Sequence, residues 1–173
     1  MSRTLHKPLV SIVMGSASDL RVMQAASDTL QAFEITHEID IVSAHRTPQK
    51  LFDYATGLLA RDIAVVIAGA GGAAHLPGMI AAQTVVPVIG VPVAATKLDG
   101  MDSLLSIVQM PAGVPVATVA IDNAENAALL AAQIIALQSP EVRTRLLTHR
   151  RSLEEKVAAA SSEVARVVPA RGV

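Results

Sequence analysis

The 173-residue sequence contains no cysteine and no tryptophan, and its only aromatic side chains are two phenylalanines and one tyrosine. The absence of cysteine excludes disulfides, thiolate metal ligands and a cysteine nucleophile, and it favours a reducing compartment, the cytoplasm. So few aromatic rings leave almost nothing on which nucleic-acid bases, sugars or a flavin ring could stack. Recognition of any ligand must therefore depend on polar groups.

Charge is scarce as well. Charged residues make up 17% of the chain, whereas about 25% is usual in a soluble domain. The net charge of −1 provides no strong attraction to nucleic acid or to an anionic membrane surface, so we predict neither partner. The hydrophobic share of 51% is more than a single domain of this length easily hides, which favours a homo-oligomer.

The longest uncharged stretch covers residues 63–96, which contain no Asp, Glu, Lys or Arg. Three prolines, five glycines and His75 interrupt it, whereas a membrane-spanning helix needs about 20 mostly apolar residues without such breaks. Residues 1–8 also lack the apolar region of a signal peptide. We therefore predict no membrane span and a cytoplasmic protein.

Short β-branched runs alternate with helical patterns, which is typical of a parallel sheet built from β-α-β units. In the second run Glu38 and Asp40 alternate with Ile39 and Ile41, which indicates one solvated face and therefore a sheet edge. We predict an α/β fold, a flavodoxin-like three-layer doubly wound sheet of strand order 2-1-3-4-5. The predicted strands are 9–14, 36–42, 64–68, 88–91 and 116–121, and the helices between and after them are 18–33, 47–58, 76–83, 102–109 and 123–137.

The composition changes at Ser139, because residues 139–173 hold 11 of the 29 charged residues. Ser139, Pro140 and Glu141 begin another helix, whose apolar residues form a narrow stripe. We divide the chain into a flavodoxin-like catalytic domain, 1–138, and an extra C-terminal helix with its tail, 139–173, which we expect to pack on a neighbouring subunit. Packing on its own domain explains the pattern equally well. The stripe consists of Val142, Leu146, Leu153 and Val157.

Three loops that follow predicted strands carry unusual sequences, and that edge of a parallel sheet is where ligands bind. The first loop, residues 15–19, reads GSASD. Gly15 permits close approach of a ligand, Ser16 and Ser18 can donate hydroxyls, and the next helix offers free N–H groups to a phosphate. Asp19 can accept hydrogen bonds from a ribose. Ordinary capping of the helix by Ser18 or Asp19 explains the same residues.

The second loop, residues 43–48, reads SAHRTP. Arg46 can bind a phosphate with two parallel hydrogen bonds, and His45 can exchange protons near neutral pH. The loop is followed by a helix that we expect to begin with Thr47 as the N-cap and proline at its first position. A purely structural role is open too, with His45 bonded to backbone and Arg46 paired with Asp40 or Asp53.

The third loop, residues 69–79, reads GAGGAAHLPGM. It includes a G-x-G-x-x-A match to a dinucleotide-binding turn, but no carboxylate follows about 20 residues later, where a ribose would need one. The glycines instead suggest a loop that can close over a small ligand, with His75 in either a catalytic or a structural role. The five histidines show no metal-ligand spacing, so we predict no bound metal.

These three loops, together with residues 102–111 (DSLLSIVQMP), resemble the class I PurE family of N5-carboxyaminoimidazole ribonucleotide mutases over residues 9–137. The resemblance implies de novo purine (IMP) biosynthesis, in which a carboxylate moves from nitrogen to a ring carbon by decarboxylation and recarboxylation. The product would be 4-carboxy-5-aminoimidazole ribonucleotide. It also implies no metal, ATP or organic cofactor, and a homo-octamer with active sites at subunit junctions.

The resemblance further implies roles for single residues. His45 would be the general acid/base, and a closed loop bearing His75 would exclude water, so both are assigned as catalytic. Backbone N–H groups of the third loop would stabilise the migrating carboxylate. The residues assigned to substrate binding are Gly15, Ser16, Ser18, Asp19, Ser43, Arg46, Ala70, Gly71, Gly72 and Leu76.

The sequence departs from the family after the fifth predicted strand, where residues 122–128 read DNAENAA and many family members carry glycines. We assign no ligand contact to this turn. Three alternatives stay open: a class II relative that carboxylates aminoimidazole ribonucleotide directly with carbon dioxide, a nucleotide-binding sensor without catalysis, and a dinucleotide oxidoreductase.

Overall fold

One sheet of parallel strands forms the centre of the computed structural model, which describes residues 9–167. Within these residues the strand order is β2-β1-β3-β4-β5, and every neighbouring pair is parallel. The predicted order 2-1-3-4-5 is therefore confirmed. The strands are β1 (Val10–Met14), β2 (His37–Ile41), β3 (Val65–Gly71), β4 (Val88–Val93) and β5 (Ala117–Thr118).

Helices cover both faces of the sheet and so produce the three layers. Successive side chains of a strand point to opposite faces, and accordingly Ile12 joins the buried cluster formed with α1 and α5. Val13 joins the second cluster, formed with α2 and α3. The helices are α1 (Leu20–Ala32), α2 (Pro48–Thr56), α3 (Leu76–Ala81), α4 (Met101–Val108), α5 (Ala124–Ala136) and α6 (Pro140–Val167).

The two edge strands differ from the sequence prediction. β5 has two residues where 116–121 was predicted; beyond them the Val119 N–H still bonds the Gly90 carbonyl at 3.1 Å, so the chain follows β4 without a regular ladder. β2 is at the edge, as predicted, but its apolar face is also open: Ile39 and Ile41 are each 43% exposed. Neither buried cluster extends to these two side chains.

The first turns of α6 pack on the chain's own domain. Val142 is buried, and the Arg143 guanidinium donates to the Ala136 carbonyl at the end of α5 (2.9 Å). Further along, Leu153 and Val157 of the predicted stripe are exposed. No helix within residues 9–167 has the length and apolar character needed to cross a membrane. The last part of the predicted tail, 168–173, lies outside the described residues.

Candidate active site

The carboxyl ends of four neighbouring strands surround one cavity of about 210 Å³. It receives the loops after β1 and β2, the end of β3 with the loop that follows, and the segment after β4. Every residue assigned to the site from the sequence lines this cavity, with the exception of Gly72. Three further lining residues were missed, because an alanine methyl carries no chemical signal in a sequence. The lining consists of Gly15, Ser16, Ser18, Asp19, Ser43, Ala44, His45, Arg46, Ala70, Gly71, Ala73, His75, Leu76 and Ala95.

The loop after β1 is closed by a capping box. Ser16 is the N-cap of a short 3₁₀ turn, Ala17–Asp19, and its Oγ accepts hydrogen bonds from the Ser18 N–H (3.4 Å) and the Ser18 hydroxyl (3.1 Å). In return Asp19 Oδ2 accepts from the Ser16 N–H (3.0 Å). The loop is capped, but the residue that caps with its side chain is Ser16. Ser18 is not a cap, and Asp19 is the N-cap of α1 without a side-chain cap bond there. Both roles are compatible, since all three side chains also line the cavity.

Asp19 is the buried carboxyl of the site, with 5% of its surface exposed. Burial raises its pKa above the ordinary value of 3.8, against the opposing effects of hydrogen bonds from Ser16 and Ser18 and of the positive charge of Arg21. An ionised carboxylate in such a place has a strong need for hydrogen-bond donors. A hydroxyl-bearing ligand in the cavity can supply them.

The loop after β2 holds a guanidinium against the first loop. Arg46 Nε donates to Ser43 Oγ (3.3 Å), and Arg46 Nη2 donates to the Gly15 carbonyl (3.3 Å). The predicted structural pairing of Arg46 is wrong, because Asp40 pairs with Lys50 (2.7 Å) and Asp53 accepts from Gln49 (2.9 Å). Within residues 9–167 no carboxylate forms an ion pair with Arg46, so its charge is available to an anion.

The start of α2 is correct in position but not in its capping bond. Thr47 is the N-cap and Pro48 the first helical residue, yet the threonine makes no side-chain cap bond. Its Oγ1 donates instead to the Ser43 carbonyl (3.0 Å) and accepts from the Ser43 N–H (3.1 Å). The hydroxyl thereby closes the loop that presents His45 and Arg46.

Two histidine rings meet across the cavity. His45 Nε2 lies 2.8 Å from His75 Nδ1, and the rings are edge-to-face, with centroids 4.9 Å apart. One of these two nitrogens must carry a proton and the other a lone pair, because two N–H groups facing each other would repel. The pair can therefore pass a proton between the rings, which is a useful property for acid–base chemistry near neutral pH.

The loop after β3 positions His75 but does not bring Gly72 to the cavity. Gly72 adopts a positive φ of 66°, and its N–H donates to Ser103 Oγ (2.8 Å). This N–H is therefore not a free donor, contrary to the expectation that it would stabilise a carboxylate. Gly71 does line the cavity, and a Cβ added there would lie 2.4 Å from the Ala95 Cβ, so only glycine allows this close approach.

Residues 9–167 contain no group of three or more His, Asp or Glu side chains that could hold a metal ion. The chemistry available in the cavity is that of two imidazoles, one guanidinium, one buried carboxyl and several hydroxyls. This set can bind a phosphorylated, hydroxyl-bearing molecule at one end and transfer protons at the other.

Relatives of known activity share nearly the whole chain. An N5-carboxyaminoimidazole ribonucleotide mutase of Pyrococcus horikoshii is 56% identical over 91% of this chain and 89% of its own length. One from Mycobacterium tuberculosis is 54% identical over 94% and 93%. A phosphoribosylaminoimidazole carboxylase of Candida glabrata is 55% identical over 88% of this chain, which spans 27% of that longer protein.

Solved structures that are similar to this chain lead to the same family as these relatives. The crystal structure of Treponema denticola PurE has a TM-score of 0.83 and 30% identity, covering 90% of this chain and 98% of its own. A substituted PurE2 from the same organism has the same score over 91% and 98%. The family model described as AIR carboxylase matches residues 9–156. The chain therefore belongs to the AIR carboxylase, or PurE, family.

Proposed function

We propose that this protein is an N5-carboxyaminoimidazole ribonucleotide mutase, an isomerase of de novo purine biosynthesis that acts in the cytoplasm. The observation that carries the proposal is the 2.8 Å contact between His45 and His75 in the same cavity as the unpaired Arg46. Relatives with that name match most of the chain at 52–56% identity. The family name and the site chemistry thus lead to one reaction.

The phosphate end of the ribonucleotide binds at the first two loops. Arg46 supplies the positive charge, and the hydroxyls of Ser16, Ser18 and Ser43 supply neutral donors. The Asp19 carboxylate accepts hydrogen bonds from the ribose hydroxyls. These supply further donors, which a buried carboxylate needs when it is ionised. Anchoring this end positions the imidazole ring beside the histidine pair, and such positioning can itself contribute several orders of magnitude to a rate.

The chemical step begins with loss of the carboxylate from nitrogen. The N–C bond breaks, its electron pair stays on nitrogen, and His45 gives that nitrogen a proton, so carbon dioxide and aminoimidazole ribonucleotide are formed in the cavity. The C4 carbon then attacks carbon dioxide, a C–C bond forms, and the C4 proton returns to His45. One residue serves both steps, and no proton is consumed overall.

His75 supports His45 in this cycle. The contact between the rings orients His45, and His75 can share the proton that His45 donates in the first step and receives in the second. The loop that carries His75 also covers the trapped carbon dioxide, which would otherwise be lost to solvent. The backbone at Ala70 and Gly71 and the side chain of Leu76 form the adjoining wall.

A second copy of the chain completes the site in this proposal. The cavity of about 210 Å³ is smaller than the roughly 300–1,000 Å³ of ordinary ligand sites. We propose a homo-octamer with active sites at subunit junctions. In this proposal the reaction requires no metal, nucleoside triphosphate or organic cofactor.

The direct test mixes purified protein with N5-carboxyaminoimidazole ribonucleotide, without ATP or added metal, and follows the C4-carboxylated product. A parallel reaction contains aminoimidazole ribonucleotide and bicarbonate. We expect conversion of the first substrate, a loss of at least about 100-fold in His45→Asn, and unchanged turnover in His37→Asn. His37 is the matched control, because its ring bonds Ser27 Oγ (2.8 Å) and the Ile35 carbonyl (3.0 Å) at the amino end of β2, away from the cavity.

The two substrates separate the alternatives. Turnover from aminoimidazole ribonucleotide and bicarbonate alone would identify a direct carboxylase of the class II type. Binding of the ribonucleotide without turnover would identify a sensor. Full activity of His45→Asn would show that the acid–base assignment is wrong even if the mutase activity is present.

A further inference from the structure

The segment DSLLSIVQMP, residues 102–111, has no part in the proposed chemistry, yet its second residue touches the active-site loop. Ser103 is fully buried. Its Oγ accepts a hydrogen bond from the Gly72 N–H (2.8 Å) and donates one to the Val93 carbonyl (2.8 Å). A single hydroxyl therefore joins the turn after β3 to the last residue of β4.

A second hydroxyl of α4 lies on the other side of the same glycine. Ser106 Oγ donates mainly to the Asp102 carbonyl (2.7 Å) and lies 3.5 Å from the Gly72 carbonyl. Gly72 is the residue of the loop with a positive φ. Of its two contacts with α4, the one between its N–H and Ser103 is shorter than the one between its carbonyl and Ser106. The start of the loop is thus fixed from α4 and not from its own strand.

The path from this anchor to the histidine pair is short. Two residues separate Gly72 from His75, and the His75 N–H donates to the Ala73 carbonyl (2.9 Å), so the intervening turn is tight. A displacement of Gly72 must therefore displace the His75 ring. A hydrogen bond of 2.8 Å between His75 and His45 tolerates little such movement, because hydrogen-bond strength falls with distance and angle.

We propose that Ser103 is a positioning residue for the His45–His75 pair. It touches neither the cavity nor the substrate, and it acts by holding the Gly72 N–H. Removal of the hydroxyl takes away the partner of the half-buried Gly72 N–H and one donor to the buried Val93 carbonyl, and the turn then relaxes toward other conformations in which these groups are satisfied. The proposal rests on the proposed function for its kinetic consequence, but its structural consequence is independent of that function.

The experiment compares Ser103→Ala with Ser11→Ala. Ser11 is a matched control, since it is also fully buried, accepts from the Tyr54 hydroxyl (2.7 Å) and donates to Glu38 (2.7 Å). It lies near the start of β1, at the amino end of the strands, whereas the cavity lies at their carboxyl ends. Both variants should lower the melting temperature by a few degrees, because each loses two buried hydrogen bonds.

The two variants should differ at the active site. We expect Ser103→Ala to lower kcat by about 10- to 100-fold with KM changed by less than about threefold, and to move the ring ¹⁵N NMR signals of both active-site histidines. Ser11→Ala should leave kcat and those signals as they are in the wild type. Ser103→Cys keeps a weak donor and acceptor, and it should recover part of the lost kcat.

The positioning role is wrong if Ser103→Ala keeps the wild-type kcat and histidine ¹⁵N signals. If Ser103→Ala does not fold, the same two readouts on Ser103→Cys decide, with wild-type values again contradicting the role. If the wild type itself shows no turnover, the proposed function fails, whereas the ¹⁵N comparison still shows whether Ser103 holds the histidine pair in place.

Discussion

At the scale of single residues, Arg46 is the cation of the site, and its removal should affect binding more than chemistry. Arg46→Ala is expected to weaken the affinity for aminoimidazole ribonucleotide by roughly 10- to 100-fold, as loss of a charge-assisted hydrogen bond of about 1.5–3 kcal/mol implies. Because the guanidinium is proposed to contact the phosphate and not the reacting atoms, kcat should change little. Isothermal titration calorimetry measures the first effect and steady-state kinetics the second.

Lys50→Ala is the control for Arg46→Ala. Lys50 lies in the first turn of α2, pairs with Asp40, and does not line the cavity. It should therefore bind the ribonucleotide like the wild type. An unchanged dissociation constant in Arg46→Ala would remove Arg46 from the phosphate site.

Asp19 allows a prediction about pH, because burial raises its pKa above 3.8. A group with a raised folded-state pKa stabilises the fold at low pH, and that stabilisation is lost as the pH rises through the folded-state pKa. Asp19→Asn keeps an oxygen for the Ser16 N–H but cannot ionise. Its free energy of unfolding, relative to the wild type, should therefore increase between about pH 3 and pH 7.

Urea unfolding of both proteins across this range measures that difference, in which the titration of all other groups cancels. A difference that does not vary with pH would contradict the raised pKa. The same substitution should weaken ribonucleotide binding at neutral pH by about tenfold, because the amide replaces the charged group that is proposed to accept from the ribose hydroxyls.

Local sequence could reveal the residue types of the site but not its contacts. The loops at His45 and His75 were found because glycine, hydroxyl, imidazole and guanidinium groups cluster after predicted strands. Their 2.8 Å contact joins positions 30 apart, and no spacing rule predicts it. Gly72 was misassigned for the same reason, since its partner Ser103 stands 31 positions later and reads simply as a buried helical residue.

At the scale of elements, the depth at which α4 packs on β4 depends on Gly90. A Cβ at this position would lie 2.4 Å from Ile107 Cγ2 and 3.0 Å from Val116 Cγ1. Ile107 is fully buried, and its branched side chain is stiff. Gly90→Ala should therefore lower the free energy of unfolding by about 1–3 kcal/mol, as measured by urea denaturation.

Gly69 provides the comparison. A Cβ there would meet the Met23 sulfur at 2.3 Å, but an unbranched thioether can move aside at lower cost. Gly69→Ala should be the milder substitution. In addition, Gly90→Ala should be less destabilising when Ile107 is already alanine. Equal losses for the two glycines, or additive losses in the Gly90 and Ile107 double variant, would contradict this account of the packing.

The sequence pattern was most reliable for the central elements and least reliable at the edges of the sheet. β1, β3 and β4 are apolar on both faces, so burial and sequence agree in one simple signal. An edge strand has one partner, and its length depends on that partner's geometry, which is why β5 has two residues. In β2 the alternating pattern revealed the edge, but it could not show that nothing in residues 9–167 covers the apolar face.

At the scale of the whole molecule, apolar surface remains uncovered in the single chain. Leu20, Ile39 and Ile41 are each more than 40% exposed and line one cavity beside β2. A larger cavity of about 500 Å³ lies between α5 and α6, and Val157 further along α6 is 70% exposed. Exposed apolar surface of this kind is usually covered by another subunit, in agreement with the proposed oligomer.

Val157→Asp tests that assembly without disturbing the fold of one chain. Substitution of so exposed a residue changes the folding stability of a lone chain by only about 0.5 kcal/mol, whereas a carboxylate buried at an interface without a partner is strongly unfavourable. We expect the protein concentration at which half of the oligomer has dissociated, measured by sedimentation, to rise at least about tenfold. Turnover per chain should fall with dilution in parallel, because the active sites are proposed to lie at subunit junctions.

Ala159→Asp is the control, because it places the same charge on the opposite side of α6 and should assemble like the wild type. If Val157→Asp assembles and turns over like the wild type, this part of α6 is excluded from the interface.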